Sequence, residues 1–210
     1  MQTVPRATGS LSAIALGLLS FTLLSWQVQL HGPLSAFDLR FASWLHAQAG
    51  PWLTRVFVLL TDAHNTLGLL VLGLAICAFL VVKRRWRALV FAGITIGGGM
   101  LFNVALKLLF QRARPVFEDT LLVLDSYSFP SGHALGSTVL YGTLAVLLAS
   151  HPRWRRPAFF GAMVMVLLVA LSRVYLGAHY LSDVLAGIAL GVVWVNFWRL
   201  VLSPAPSALT

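Results

Sequence analysis

Residues 172–183 read SRVYLGAHYLSD and separate two long apolar runs of the chain. In a membrane protein, polar residues in such a position mark the place where a helix meets water. His179 and Asp183 are four residues apart, so a helix would place them on one face. A carboxylate there can bond one nitrogen of the imidazole ring and leave the other available as a base or nucleophile. Taken alone, the stretch also fits residues that merely anchor a span end at the interface.

Two other residues of this stretch bear on its shape. Arg173 offers a planar set of donors that suits a phosphate group. A continuous helix would put Arg173 and His179 on different faces. Gly177 lies between them and tolerates backbone conformations that other residues avoid, so it predicts a turn.

The composition excludes a soluble protein. Of the 210 residues, 59% are hydrophobic and only 10% are charged. A soluble domain of this size needs far more charge on its surface. Several apolar runs approach the length of about 20 residues that crosses a bilayer. These features predict an all-α, polytopic membrane protein that forms one domain over residues 1–210.

Six membrane spans are predicted, at residues 11–30, 65–82, 88–110, 133–150, 157–174 and 181–201. The first run has no small-residue cleavage site at its end, so we interpret it as an uncleaved span rather than a signal peptide. In the segment from His31 to His64, apolar and polar residues alternate between Phe37 and His46, which indicates an interfacial amphipathic helix between the first two spans. Gly50-Pro51 is expected to end this helix before a second short piece at 52–60. The tail at about 203–210 is predicted to be disordered.

The charged residues predict the orientation of these spans. The net charge of +9 does not indicate a nucleic-acid partner, because the basic residues cluster at span ends. Nine of the 15 Lys and Arg residues fall on one side of the predicted topology, and all six Asp and Glu residues fall on the other. The positive-inside rule makes the basic side cytoplasmic, together with both termini.

The third predicted span leads into a second polar stretch. Lys107 and Arg114 are seven residues apart, so two turns of a helix ending at Pro115 would project them in one direction. A lysine inside an apolar run is costly and is by default functional. Arg112 is expected to snorkel toward the interface.

A third polar stretch, Pro130-Ser131-Gly132-His133, directly precedes the fourth predicted span. The start of a helix offers unpaired backbone N–H groups and a positive dipole end, which bind anions. Gly132 would allow a ligand to approach the backbone closely. A plain N-cap by Ser131 would explain the serine but would give no reason for His133.

The predicted topology places all three polar stretches on the outer side. Together they supply three cations, a serine-glycine turn and two histidines: Lys107, Arg114, Arg173, Ser131, Gly132, His133 and His179. Converging cations need an anion, and a phosphate satisfies them. Two histidines around a phosphate suit the roles of nucleophile and general acid.

These residues resemble the type 2 phosphatidic acid phosphatase superfamily of integral-membrane lipid phosphatases. Its first signature, Lys, six residues, Arg-Pro, corresponds to Lys107 through Pro115. The second, Pro-Ser-Gly-His, is at residues 130–133, and the third, Ser-Arg, five residues, His, three residues, Asp, is at residues 172–183. No motif position departs from the pattern. The resemblance covers the chain from about residue 65 onward, with the order of spans in the six-helix members.

The resemblance implies a mechanism and a location. His179 would form a phosphohistidine, Asp183 would hold its ring, and His133 would protonate the leaving oxygen. The phosphate would be bound by Lys107, Arg114, Arg173, Ser131 and the Gly132 amide. No metal or cofactor is implied. The substrate would be a lipid phosphate, with undecaprenyl diphosphate and phosphatidylglycerophosphate favoured. The site would face the periplasmic side of a bacterial cytoplasmic (inner) membrane.

Other interpretations predict different features. Vanadium-dependent haloperoxidases share the three motifs but resemble soluble enzymes. A transporter would carry polar residues through the depth of several spans, and a non-catalytic lipid-phosphate binder would be expected to lose His133 or His179. The glycine pairs Gly93/Gly97 and Gly187/Gly191 favour close helix packing over a hinge, and they leave the oligomeric state open.

Overall fold

The computed structural model describes residues 4–117 and 126–202, and within them it contains eight α-helices and no strand. The helices are α1 (Val4–Gln29), α2 (Pro33–His46), α3 (Pro51–Ala63), α4 (Thr66–Val82), α5 (Trp86–Phe110), α6 (Gly132–Leu148), α7 (Pro152–Tyr175) and α8 (Leu181–Leu202). The all-α prediction is therefore confirmed. The predicted disordered tail at 203–210 lies outside the described residues.

Local sequence signals account for where several helices begin. Prolines open α2, α3 and α7, where the missing N–H costs nothing because the first turn of a helix has no acceptor for it. Asn65 caps α4, its side-chain oxygen accepting from the Gly68 amide at 2.9 Å. Ser131 caps α6 in the same way.

Four helices are long and apolar enough to cross a membrane, namely α1 from Thr8, α5, α7 and α8. Helices α3 and α4 make a fifth crossing if they count as one span, although they are bent by 54° at the break between them. The apolar helix α6 has only 17 residues. The chain is thus a multi-pass membrane protein, while the count of six spans stays a prediction because two of the six lie in the bent α3–α4 pair and in α6.

Helix α6 lies at the centre of the bundle. Its buried side chains include Leu135 and Val139, which belong to one apolar core with Phe91 of α5 and Leu190 of α8. A helix enclosed by neighbours on several sides needs less length than one that faces lipid, because its backbone is already shielded. This central position places the residues at the start of α6 among the ends of α5, α7 and α8.

The glycines behave differently in the two predicted pairs. A Cβ atom at Gly191 would lie 2.6 Å from Cβ of Thr138, and one at Gly187 would lie 2.7 Å from the Ser131 carbonyl oxygen. Close packing is therefore confirmed for this pair, which lets α8 approach α6. The prediction of close packing is wrong for Gly93 and Gly97, where an added Cβ atom would meet nothing within 4 Å among the described residues.

The residues that follow Gly97 make the close contact of α5 instead. A Cβ at Gly98 would lie 2.9 Å from the Trp194 ring, and one at Gly99 would lie 3.2 Å from the Val139 methyl groups. Successive residues of a helix are about 100° apart around its axis, so spacing alone did not indicate which glycines face the bundle.

The segment predicted as an interfacial amphipathic helix forms α2 and α3. Helix α2 turns the polar residues Asp38 and His46 inward and leaves Phe37, Leu39 and Trp44 exposed. Exposed apolar residues suit a helix in contact with lipid, and its position at the membrane interface stays a prediction. The inward carboxylate of Asp38 requires a partner inside the protein, because an unpaired buried charge is costly.

Candidate active site

The turn between α7 and α8 confirms the role predicted for Gly177. Its φ is +69°, in the left-handed region that favours glycine. The Arg173 carbonyl accepts from the amides of Ala178 at 3.0 Å and His179 at 3.2 Å, which folds the chain back on the end of α7. The turn thereby brings His179 beside the last residues of α7.

The contact between His179 and Asp183 is present, but it arises differently from the prediction. Their side chains approach to 3.5 Å, from Nδ1 to Oδ2. His179 precedes α8, which begins at Leu181, so the two residues do not share one helix face. Asp183 instead accepts from the Tyr180 amide at 2.9 Å, as the acidic residue of a capping box does. The turn then places the imidazole over this carboxylate.

Ser128, which the sequence interpretation missed, links the histidine and the carboxylate. Its Oγ donates to Asp183 Oδ2 at 2.5 Å and lies 3.3 Å from His179 Nδ1. A hydroxyl has one proton, and here it goes to the carboxylate. The serine oxygen therefore accepts from Nδ1–H, and the proton of the neutral ring is on Nδ1.

Arg114 indicates the same tautomer from the other side of the ring. Its Nη1 lies 3.2 Å from His179 Nε2, and a guanidinium can only donate. Nε2 is therefore the acceptor and carries the lone pair. The remaining partners of Arg114 are neutral oxygens of Ser126, Tyr127 and Ala178.

The charge around His179 keeps the ring neutral. Only 1% of the residue is exposed, and this burial lowers its pKa well below the ordinary value. The positive charges of Arg114, Arg173 and Lys107 lower the pKa further. At neutral pH the Nε2 lone pair is thus available to attack an electrophile.

Lys107 and Arg114 meet, although not along one helix. Helix α5 ends at Phe110, because Gln111 adopts φ of +46° and donates its amide to the Lys107 carbonyl at 3.1 Å. The expectation that two helical turns align Lys107 and Arg114 is therefore wrong. Both cations instead reach the carbonyl oxygen of Tyr127, which accepts from Lys107 Nζ and lies 3.3 Å from Arg114 Nη2.

At the start of α6, Ser131 caps the helix and Gly132 lies close to α5. The fully buried Ser131 accepts from the Ala134 amide at 3.4 Å, and its own amide donates to the Asp183 carbonyl at 3.0 Å. The amides of Gly132 and His133 come next and have no acceptor within their own helix. A Cβ at Gly132 would lie 2.9 Å from Asn103 Nδ2, so glycine lets the Asn103 side chain of α5 lie close to the start of α6.

His133 and Arg173 have buried donors or acceptors without a partner among the described residues. These atoms are Nε2 of His133 and Nε of Arg173. Arg173 is 1% exposed, and its Nη1 donates to Thr61 Oγ1 at 3.0 Å. The charge of Arg173 acts on His133. Unpaired buried polar atoms cost free energy, so these two atoms suit a polar ligand that would bind them.

Arg112 does not snorkel. Its Nη1 lies 2.6 Å from Asp183 Oδ1, and its Nη2 lies 2.9 Å from Asp38 Oδ2. These two carboxylates raise the pKa of Arg112 even though burial opposes its charge. The expected extension of this side chain away from the protein is wrong, because two inward carboxylates, one of them on α2, hold the guanidinium inside the bundle.

The three polar stretches therefore converge at one end of the bundle. Contacts join Lys107, Arg114, His179 and Asp183, and the charges of Arg173 and His179 act on His133. The acidic residues Glu118, Asp119 and Asp125 lie outside the described residues. The basic segments at 83–87 and 153–156 lie at the opposite helix ends, where α4 joins α5 and where α7 begins.

Comparison with known sequences relates this chain to the PAP2 superfamily and to phosphatases. A model of the PAP2 superfamily matches residues 88–205. Phosphatidylglycerophosphatase B of Bacillus subtilis is 34% identical over 148 residues, which are 68% of this chain and 72% of that protein. The undecaprenyl-diphosphatase of Sulfolobus acidocaldarius is 34% identical over 131 residues, 58% of this chain and 59% of that protein. Sphingosine-1-phosphate phosphatase 1 of Rattus norvegicus is 36% identical over 76 residues, 35% of this chain and only 17% of that protein.

Solved structures show the same fold. A transmembrane PAP2-type phosphatidylglycerolphosphate phosphatase from Bacillus subtilis superposes with a TM-score of 0.83 and 28% identity, over 90% of this chain and 94% of that chain. LpxE of Aquifex aeolicus superposes with a TM-score of 0.63 and 20% identity, over 78% of this chain and 95% of that chain. The second likeness concerns the fold alone.

Proposed function

The chain belongs to the PAP2 superfamily of lipid phosphatases, and from this premise we propose that it hydrolyses the phosphate ester or diphosphate of a membrane lipid through a phosphohistidine on His179. The family membership confirms the resemblance seen in the three motifs. The observation that carries the mechanism is the arrangement of the imidazole ring. Nδ1–H faces Ser128 and Asp183, while the Nε2 lone pair faces the guanidinium of Arg114.

In the first step, Nε2 of His179 attacks phosphorus as the bond to the lipid oxygen breaks. The non-bridging oxygens would displace the imidazole from Arg114 and take donors from Lys107 and Arg173. Fixed cations in a buried site stabilise the negative charge of the pentavalent transition state. His133 would give its proton to the departing lipid oxygen.

In the second step, a water molecule attacks the phosphohistidine. His133, now neutral, would accept the proton of this water, and the bond between phosphorus and Nε2 breaks to release inorganic phosphate. Asp183 would stabilise the positive ring that exists while phosphate is attached. The amides of Gly132 and His133 and the hydroxyl of Ser131 would add donors to the phosphate oxygens.

Two features support catalysis without a metal ion. The buried carboxylate of Asp183 is already occupied by Arg112, Ser128 and the Tyr180 amide. The positive charge that a metal would supply is present in Lys107, Arg114 and Arg173. Metal independence remains a prediction and is open to a direct chelation test.

The proposed substrates follow the relatives and the site. Phosphatidylglycerophosphate and undecaprenyl diphosphate are favoured, since relatives carry the names of phosphatases for these lipids. The site would lie on the periplasmic side of the inner membrane, since the basic ends at 83–87 and 153–156 would be cytoplasmic. The lipid phosphate would then reach the site at headgroup depth.

A panel of substrates tests the proposal. The purified chain in detergent would be given phosphatidylglycerophosphate, undecaprenyl diphosphate, phosphatidic acid and a soluble phosphate monoester, with phosphate release as the readout. We expect at least one lipid substrate to be hydrolysed faster than the soluble ester. After rapid acid-free quenching, radiolabelled phosphate should be covalently attached to the wild-type chain and absent from His179→Ala. Binding of the lipids without turnover would overturn the proposal in favour of a non-catalytic binder.

A further inference from the structure

Arg112 and its partner Asp38 are the charged residues of this region that the proposed mechanism does not use. We propose that Arg112, anchored by Asp38 of α2, is a positioning residue that holds Asp183 and Ser128 against Nδ1 of the nucleophilic His179. This inference rests on the proposed phosphatase function. It adds to the site a residue from α2, outside the stretch matched by the superfamily model.

The guanidinium of Arg112 joins two carboxylates that come from different helices. Nη1 lies 2.6 Å from Asp183 Oδ1 and 2.7 Å from Ser182 Oγ, and Nη2 lies 2.9 Å from Asp38 Oδ2. Both carboxylates are completely buried. The planar fork of arginine can serve two acceptors at fixed angles, which a lysine cannot do. The position of Asp183 is therefore tied to that of α2.

Asp38 also fastens the first turn of α8. Its Oδ1 accepts from the Ser182 amide at 3.0 Å, and its Oδ2 accepts from the Ser182 hydroxyl. A carboxylate at this place satisfies an N–H group that the helix leaves unpaired and interacts favourably with the helix dipole. Since Asp183 is the next residue, the cap fixes the backbone from which the catalytic carboxylate projects.

The main chain of Arg112 holds the second group that contacts Nδ1. Its carbonyl accepts from the Ser128 amide at 2.8 Å. Its guanidinium lies over the Tyr180 ring at 4.2 Å, a distance at which cation and ring attract one another. One residue thus holds Ser128 through the backbone and Asp183 through the side chain.

The partners of Arg112 argue against a role in binding phosphate. Its two terminal nitrogens are engaged with two carboxylates, so its charge is already balanced. Arg114 contrasts with it, because its direct partners are neutral carbonyl, hydroxyl and imidazole groups. A phosphate would have to break a buried ion pair to reach Arg112, which is unfavourable.

Loss of Arg112 should change the protonation of His179. Asp183 would keep its negative charge without compensation, which favours the protonated ring and raises the pKa of His179. The other groups that act on the ring remain: Ser128 and Arg114 from the loop, Lys107 from α5, His133 from α6, Arg173 from α7 and Asp183 from α8. The acid limb of the activity profile should therefore move to higher pH.

The test uses three variants in the full-length chain: Arg112→Lys, Arg112→Ala and Asp38→Asn. Hydrolysis of dioleoyl phosphatidic acid and of phosphatidylglycerophosphate in detergent micelles would be followed from about pH 4 to about pH 9, on both sides of the ordinary histidine pKa. We expect kcat of Arg112→Ala to fall by about 10²-fold, the size of loss that a misplaced catalytic group causes. KM should stay within about twofold, because uniform binding is not altered. Arg40→Ala, which alters an exposed residue of the same helix as Asp38, is the control and should match the wild type.

The outcomes separate this inference from the proposed function. A wild-type chain that hydrolyses neither lipid contradicts the proposed function itself. If the wild type is active and all three variants keep its kcat and pH profile, the positioning role is overturned. The same holds if the variants change only KM. If Arg112→Ala does not fold, the kinetics of Arg112→Lys and Asp38→Asn test the positioning role, since both variants keep most of the side-chain volume. The double variant Arg112→Lys/Asp38→Asn should lose less than the product of the single losses, because coupled residues act as one unit.

Discussion

The two sides of His179 differ in how their charges are balanced. On the side of Nδ1, which we call the paired half, Asp38, Arg112, Ser182 and Asp183 form buried ion pairs and hydrogen bonds. On the side of Nε2, which we call the cationic half, Lys107, Arg114 and Arg173 bond directly to neutral carbonyl, hydroxyl or imidazole groups. Among the described residues, direct ion pairs match the charges of the paired half, whereas no carboxylate bonds the three cations of the cationic half directly.

Arg112 and Arg114 show the difference most directly. They have the same side chain and are separated by one residue, yet one bridges two carboxylates and the other faces an imidazole lone pair. The function of a charged residue in this site depends on its partners and not on its type or its place in the sequence. The paired half suits positioning, and the cationic half suits an anionic substrate.

The largest effect is expected when the imidazole of His179, which lies between the two halves, is removed. His179→Ala should lower phosphate release from lipid substrates by at least about 10³-fold, because it removes the Nε2 atom that is proposed to attack phosphorus. The readout is release of inorganic phosphate from detergent-solubilised lipid. His151→Ala, at the other end of the bundle, should retain full activity. Turnover of His179→Ala at the wild-type rate would remove the proposed nucleophile.

The next effect tests the cationic half. Arg114→Ala should lower kcat/KM by about 10²- to 10³-fold, the usual loss for a donor that stabilises a transition-state oxyanion. Arg114 also lowers the pKa of His179, so its removal raises that pKa. Activity requires the neutral ring and is lost as the pH falls through the pKa. The acid limb of kcat/KM should therefore move to higher pH.

Variants of Arg114 and of Arg112 should change different kinetic parameters. We expect Arg114→Ala to raise KM and to weaken competitive inhibition by inorganic phosphate, which needs the cations but no attack by His179. Arg112→Lys should lower kcat while leaving the inhibition constant of inorganic phosphate nearly unchanged. Equal weakening of phosphate inhibition in both variants would show that the division into two halves is wrong.

A smaller effect is expected from the hydroxyl that joins the imidazole to its carboxylate. Ser128→Ala should lower kcat by about tenfold, since the loss of one hydrogen bond to a charged group costs about 1.5 kcal/mol. KM should not change, because the Ser128 hydroxyl contacts His179 and Asp183 and not the cationic half. Ser150→Ala serves as the control, since its hydroxyl bonds the Leu147 carbonyl at the far end of α6. If Ser128→Ala lowered activity more than Arg114→Ala does, the proposed order of the two effects would be wrong.

The smallest expected effect is that of metal removal. If the cationic half provides the positive charge, excess chelator should leave the rate within about twofold of the untreated enzyme, because no metal-bound oxygen takes part. The measurement is the initial rate after dialysis against chelator. Activity that is lost in chelator and restored by one divalent cation would contradict the metal-free mechanism.

Much of the site could be predicted because its signals are local. Apolar run length predicted membrane helices, Gly177 predicted a turn, and the motif residues predicted the cations and histidines that converge. The alignment of Lys107 with Arg114 was wrong because α5 ends at Phe110, where Gln111 enters the left-handed region. The contact of His179 with Asp183 was predicted for the wrong reason, since a turn and a capping box produce it.

The sequence by itself determined the helical, membrane-embedded fold and the types of group that are proposed to bind a phosphate, because hydropathy, glycine and motif spacing act over a few residues. Only the tertiary structure decided which charges are balanced. Asp38 contacts Ser182 across 144 residues, and Arg112 reaches Asp183 across 71. Such pairs leave no periodic signal in the chain, since they arise from how α2, α5 and α8 pack. Burial strengthens each of these pairings, so Arg112 and Arg114 differ in their partners and in the roles proposed for them.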